Sequence, residues 1–147
     1  GGREGYIKTS GNATVVEKAH ETVDEDAKMR RQVVEYALQF VGGRYQYGGV
    51  DPNKGVDCSG FTRYVYQHGA GITLNRSSRG QALQGKEISA DQMRPGDLLF
   101  YGSKSNIDHV AMYIGEGKIV HASTERTGIT ISNWNYRNPV KIRSIME

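Results

Sequence analysis

The sequence predicts an α+β domain, with helices first and an antiparallel sheet after them. Two observations point there. Apolar residues before residue 71 recur at helical spacing, whereas after Pro95 they recur at a period of two between turn residues. The chain also has 147 residues, a length that fits one domain with a substantial core.

Residues 1–10 (GGREGYIKTS) read as a short strand without a nearby partner. The chain does not open on Met, so a fragment or processed form is expected. Residues 11–26 are polar and weakly patterned and read as a linker with some helical character. The expected division is therefore an extension over 1–27 and a folded domain over 28–147. In DAKMRRQVVEYALQFVGG, residues Met29, Val33, Val34, Ala37, Leu38 and Val41 form an amphipathic stripe, and Gly42–Gly43 ends the helix. A Gly- and Pro-rich loop, RYQYGGVDPNKGV, precedes a second helix in DCSGFTRYVYQHG. Asp57 is its N-cap candidate, Phe61, Val65 and Tyr64 give its apolar side, and Gly69 ends it. Gly60, in the first turn, suggests close approach of another group. A short helix is expected near Ser77–Leu83. DLLFYG, HVAMYIG, KIVHAS, GITISNW and VKIRSIME then read as a meander of five strands.

Charge and composition exclude several functions. The net charge is +3 with both signs mixed, and no finger, basic stripe or RNA-binding signature is present, so no nucleic-acid partner is expected. No apolar run approaches the ~20 residues that span a bilayer. A single cysteine allows no internal disulfide.

That cysteine, Cys58, is the main chemical candidate. Alone, a cysteine is more often a packing residue. Here it opens a helix, where the macrodipole favours a thiolate and backbone N–H groups can hold an oxyanion. A nucleophilic thiol also needs a base and commonly an orienting group. Of the four histidines, His68 sits at the far end of the helix, roughly 15 Å away along its axis. His109 opens one expected strand and His121 closes the next, so the two lie side by side if the register puts them on one face. Cys58, His109 and His121 as a three-ligand zinc site is the competing reading, although CxxC, HExxH and HxH are absent.

Six short pieces in series resemble the NlpC/P60 family of cell-wall cysteine peptidases: RYQYGG, VDCSGF, LNRSSRGQ, RPGDLLFY, HVAMYIG and HAS. The resemblance implies a papain-like fold, with N-terminal helices packed on a five- to six-stranded antiparallel sheet. It also implies a peptidoglycan endopeptidase that cuts stem peptides, as many members do between γ-D-glutamyl and a diamino acid. By this resemblance Cys58 is the nucleophile, His109 the base and His121 the orienting residue. Tyr45 lends a hydroxyl near the oxyanion, and Asp57, Ser59 and Arg76 line the substrate pocket, Asp57 facing a stem-peptide amine. No cofactor or metal is implied. The partner is the peptidoglycan stem peptide, the place is the cell wall or surface, and a monomer is expected. Asn75 and Asp108 depart from the family pattern, and the Asp108 carboxylate is expected to raise the pKa of His109. A non-catalytic wall-binding module, or an amidase or acyltransferase using the same Cys/His pair, are the alternatives. The opening GREGYIK resembles the last strand of a bacterial SH3-type domain.

Overall fold

The computed structural model describes residues 12–146, with side chains from residue 25 onward. The strand expected at 1–10, with its SH3-type resemblance, lies outside the described residues. Helix α1 spans Asn12–Leu38. It therefore begins inside the expected linker and crosses residue 27 without a break. No Gly or Pro occurs between Asn12 and Val41, so nothing in the backbone stops it.

The buried stripe of α1 differs from the predicted one at both ends. Val33, Val34 and Ala37 are buried, but Met29 and Val41 are 42% and 43% exposed. Arg30 takes the inner position instead. Its guanidinium lies 2.7 Å from Asp97 Oδ1 and donates to the Pro95 carbonyl at 3.0 Å and to Ser144 Oγ at 3.0 Å. A buried charge needs this density of partners. The RPGD segment is thus structural: Asp97, fully buried, pins the sheet to α1.

A hairpin of two short strands follows, β1 (Val50–Asp51) and β2 (Gly55–Val56), and leads straight into α2 (Cys58–Ala70). Helix α2 ends two residues later than expected, at Gly71, whose φ of 69° suits a residue without a side chain. Then come α3 (Ser78–Gln81) and the short strand β3 (Lys86–Glu87). The remaining strands are β4 (Leu98–Ser103), β5 (Asn106–Gly115), β6 (Lys118–Thr124), β7 (Gly128–Asn133) and β8 (Pro139–Ser144).

These strands form one antiparallel six-stranded sheet in the order β3-β8-β4-β5-β6-β7. Only β4 to β7 form the expected meander. Strand β8 crosses back to pair with β4, and the two-residue β3 adds the outer edge. The run LLFY in β4 is buried on both faces, which requires a central strand rather than an edge. On one face Leu98, Phe100, Val110, Met112 and Val120 pack against Phe61 and Val65 of α2 and Val33 of α1. On the other, Leu99, Tyr101, Ala111, Ile119 and Ile142 pack under Trp134 and Met93. The helices hold the first face, so the start of α2 is brought to the middle of the sheet.

Candidate active site

Backbone packing creates the start of α2. Asp57 caps the helix by accepting from the Gly60 N–H at 2.7 Å. The loop 45–49 lies directly over this turn. Asp57 N–H donates to the Gly49 carbonyl at 3.2 Å, and Gly48 N–H donates to the Asp57 carboxylate at 3.1 Å. A β-carbon on Gly60 would sit 2.3 Å from the Gly49 oxygen, which explains a glycine in a helical turn. Tyr45 forms a bridge with Val56, so the tyrosine is held beside the residues that lead into Cys58.

Cys58 is partly buried, and the Val110 N–H of β5 is near enough to its sulfur to favour the thiolate. The β5–β6 ladder reaches only to Met112↔Val120, so the stretch of β5 before Met112 is not paired to β6. The sulfur is thereby set against the strand position that follows His109. Burial raises the thiol pKa, and the Asp57 charge adds to the rise. The N–H groups of Val110, Ser59 and Cys58 itself pull the other way and do not overcome burial. The helix start favours the thiolate, as expected, while burial favours the neutral thiol.

His109 and His121 share one face of the sheet, on the alternation that carries Tyr101 and Ile119. His109 Nε2 lies 2.7 Å from His121 Nδ1, and His121 Nε2 lies 2.9 Å from Ser132 Oγ on β7. His109 occupies the fourth position of β5 rather than its first, because the strand starts at Asn106. Tyr101 and Tyr136 wall the pair: the Tyr101 ring is 5.8 Å from His109, and the Tyr136 ring is 5.3 Å from His121. Burial, then the neighbouring His121, lowers the pKa of His109 to about 3, and burial lowers that of His121 to about 4. Asp108 does pull His109 upward, as expected, but it is the weakest influence. Its carboxylate is paired with Arg137 at 3.1 Å and half-exposed to solvent. The net direction is therefore the reverse of the expected one.

Arg76 closes the other side. Its guanidinium meets the Asp57 carboxylate at 3.1 and 2.9 Å and also donates to Ser59 Oγ at 3.0 Å. The segment carrying it is fixed from below by Gln81, which is fully buried. Gln81 donates to the carbonyls of Ser59 (3.0 Å) and Asn75 (2.8 Å) and accepts from Thr62 Oγ1 (2.7 Å). Asp57 is thus occupied by cap and guanidinium together, and its charge is answered within the fold.

A surface cavity of about 430 Å³ opens here. Tyr45, Asp57, Cys58, Ser59 and Arg76 all line it, together with Asp108. His109 is buried, at 7% exposed, and His121 is fully buried; neither lines the cavity. Among the described residues, no group of three or more His, Cys, Asp and Glu is arranged to hold a metal ion. The two histidine rings bond to one another rather than converging on a point.

A sequence model of the NlpC/P60 family matches residues 42–143. The chain belongs to the NlpC/P60 family. Every candidate residue lies within the matched NlpC/P60 segment, and α1 precedes it. The chain is 36% identical over 102 residues to the gamma-DL-glutamyl hydrolase of Bacillus subtilis, covering 68% of this chain and 24% of that protein. It is 35% identical over 115 residues to the murein DD-endopeptidase MepS/murein LD-carboxypeptidase of Escherichia coli K12, covering 78% and 60%. The chain thus spans from about a quarter to 60% of the length of these curated relatives. The crystal structure of the NlpC/p60 domain of the peptidoglycan hydrolase SagA superposes with a TM-score of 0.73 at 36% identity, covering 78% of this chain and 97% of that one.

Within this NlpC/P60 domain, four neighbours of the site escaped sequence reasoning: Val110, Ser132, Tyr136 and Arg137. Ser132 alone had a signal. It falls in GITISN on β7, the strand next to His121, but choosing it required the register His121↔Thr130.

Proposed function

We propose that this domain is a peptidoglycan hydrolase, a cysteine endopeptidase that cuts stem-peptide bonds through an acyl-enzyme on Cys58. In this mechanism the sulfur attacks the scissile carbonyl while His109 Nδ1 takes the thiol proton, since Nε2 is committed to His121. The tetrahedral oxyanion is held by N–H groups at the start of α2 and by the Tyr45 hydroxyl. Burial and the nearby Cys58 and Asp57 raise the pKa of Tyr45, so the phenol stays a proton donor. The amine leaves with the proton from His109, and water then hydrolyses the thioester.

The single observation that supports this function is the placement of Cys58, at the cavity, beside the strand that carries the bonded His109–His121 pair. Cys58 heads α2, the N–H of Val110, the residue after His109, favours its thiolate, and His109 is bonded to His121. The resting pair is a neutral thiol and a neutral imidazole, so proton transfer accompanies attack rather than preceding it. The bond cut is assigned as γ-D-glutamyl–diamino acid. A relative named for γ-glutamyl hydrolysis supports it, and the murein endopeptidase supports the wall as substrate. The working place is the cell wall or surface, and the acting unit is a monomer.

Digestion of defined muropeptides with mass-spectrometric readout tests this. Wild type releases new amines at a stem-peptide bond, and Cys58→Ala loses activity by about 10³-fold or more. His109→Ala loses nearly all activity, and His121→Ala loses less. Equal release by wild type and Cys58→Ala sinks the proposal. A product other than a cleaved stem peptide identifies an amidase or acyltransferase, and binding without turnover identifies a wall-binding module.

A further inference from the structure

Ser132 ends the hydrogen-bonded line that begins at His109, and the line ends on a hydroxyl rather than a carboxylate. It has two contacts, His109 Nε2 to His121 Nδ1 at 2.7 Å and His121 Nε2 to Ser132 Oγ at 2.9 Å. A neutral imidazole has one donor and one acceptor nitrogen, so only two proton directions are consistent. In the first, Ser132 accepts from His121 Nε2–H, His121 Nδ1 accepts from His109 Nε2–H, and His109 Nδ1 keeps its lone pair. In the second, Ser132 donates, every ring proton shifts to Nδ1, and His109 has no lone pair to offer a thiol.

The surroundings favour the first direction. His121 is fully buried, while Ser132 is half-buried on β7, the edge strand of the sheet. At that edge the hydroxyl can give its own proton to solvent while its lone pair faces the ring. Tyr136 covers His121 at a centroid distance of 5.3 Å and limits turning of the ring.

We propose that Ser132 is a positioning residue: its hydroxyl accepts from His121 Nε2 and so holds both rings in the tautomer that leaves His109 Nδ1 able to take a proton. This rests on His109 as the base, but its test does not depend on the substrate. In ¹⁵N-histidine-labelled wild type at neutral pH, NMR should find Nε2 protonated and Nδ1 unprotonated in both His109 and His121. Ser132→Ala should mix the tautomers at His121 and lower kcat about tenfold with KM nearly unchanged. Ser132→Thr, which keeps the acceptor, should restore both readouts.

Protonated Nδ1 at His109 in the wild type overturns the proposal, even if the alanine variant fails to fold. So do unchanged ring-nitrogen signals in a folded Ser132→Ala, or an activity loss that threonine does not rescue. If wild type cleaves no muropeptide but shows the tautomers and their response to Ser132→Ala, the substrate assignment fails and the role of Ser132 stands.

Discussion

Arg76 grips the Asp57 carboxylate with both terminal nitrogens, at 3.1 and 2.9 Å, while the same carboxylate caps the helix that carries Cys58. One carboxylate therefore ties together the loop over the helix, the first turn of α2 and the segment before α3. Such a planar fork cannot be reproduced by an ammonium. Arg76→Ala should cost about 1–2 kcal/mol of stability and lower kcat/KM at least about tenfold. Arg76→Lys should recover only part of either. Chemical denaturation and muropeptide kinetics on the three proteins measure both effects. Full activity in the lysine variant would show that only the charge matters.

The thiol should behave as a protected one. Burial raises its pKa, so its thiolate fraction at pH 7 lies below that of a free cysteine. Alkylation of Cys58 by iodoacetamide should be slow at neutral pH and accelerate only above the ordinary cysteine range. An inflection near pH 6 would instead mean a resting thiolate–imidazolium pair.

Stability should fall on the acid side. His109 and His121 have folded pKa values of about 3 and about 4, both below that of an unfolded histidine. The unfolded chain therefore binds more protons as pH drops below about 6.5. Their contribution is complete above that pH and is lost as pH falls toward the folded values. The loss is about 2 kcal/mol per histidine between pH 7 and pH 5. Thermal melts at the two pH values, repeated on His121→Asn, should show a shallower fall in the variant.

Gly60→Ala tests the packing beneath the site. The added methyl would meet the Gly49 carbonyl oxygen at 2.3 Å and the Asp57 carboxylate at 2.9 Å. Overpacking of backbone against backbone should cost about 1–3 kcal/mol, despite the better helix propensity of alanine. It should also lower activity by moving the loop that carries Tyr45. A variant as stable and active as wild type would mean that the loop yields freely.

Much of the site was legible because it is local. Asp57 as cap, Cys58 in the first turn and Gly60 as a point of close approach are all consequences of neighbours in the chain. The burial of Arg30 was not legible. An arginine on an apolar stripe reads as solvent-facing, and only the distant Asp97 and Ser144 make the inner position tolerable. The place of β8 was hidden for a similar reason. Period-two patterning shows which residues share a face but not which strand lies alongside.

The sequence by itself determined the fold class, the order of its main helices and strands, and Cys58, His109 and His121 as the reactive candidates, because periodicity, caps and short motifs are set by residues near in the chain. Tertiary structure alone decided three things: that the two histidines bond to one another and end on Ser132, that Asp57 is answered by Arg76, and that burial favours the neutral forms of thiol and imidazole. Each depends on strand register and burial. Those bring together groups far apart in the chain and remove the water that would otherwise have kept their ordinary pKa values.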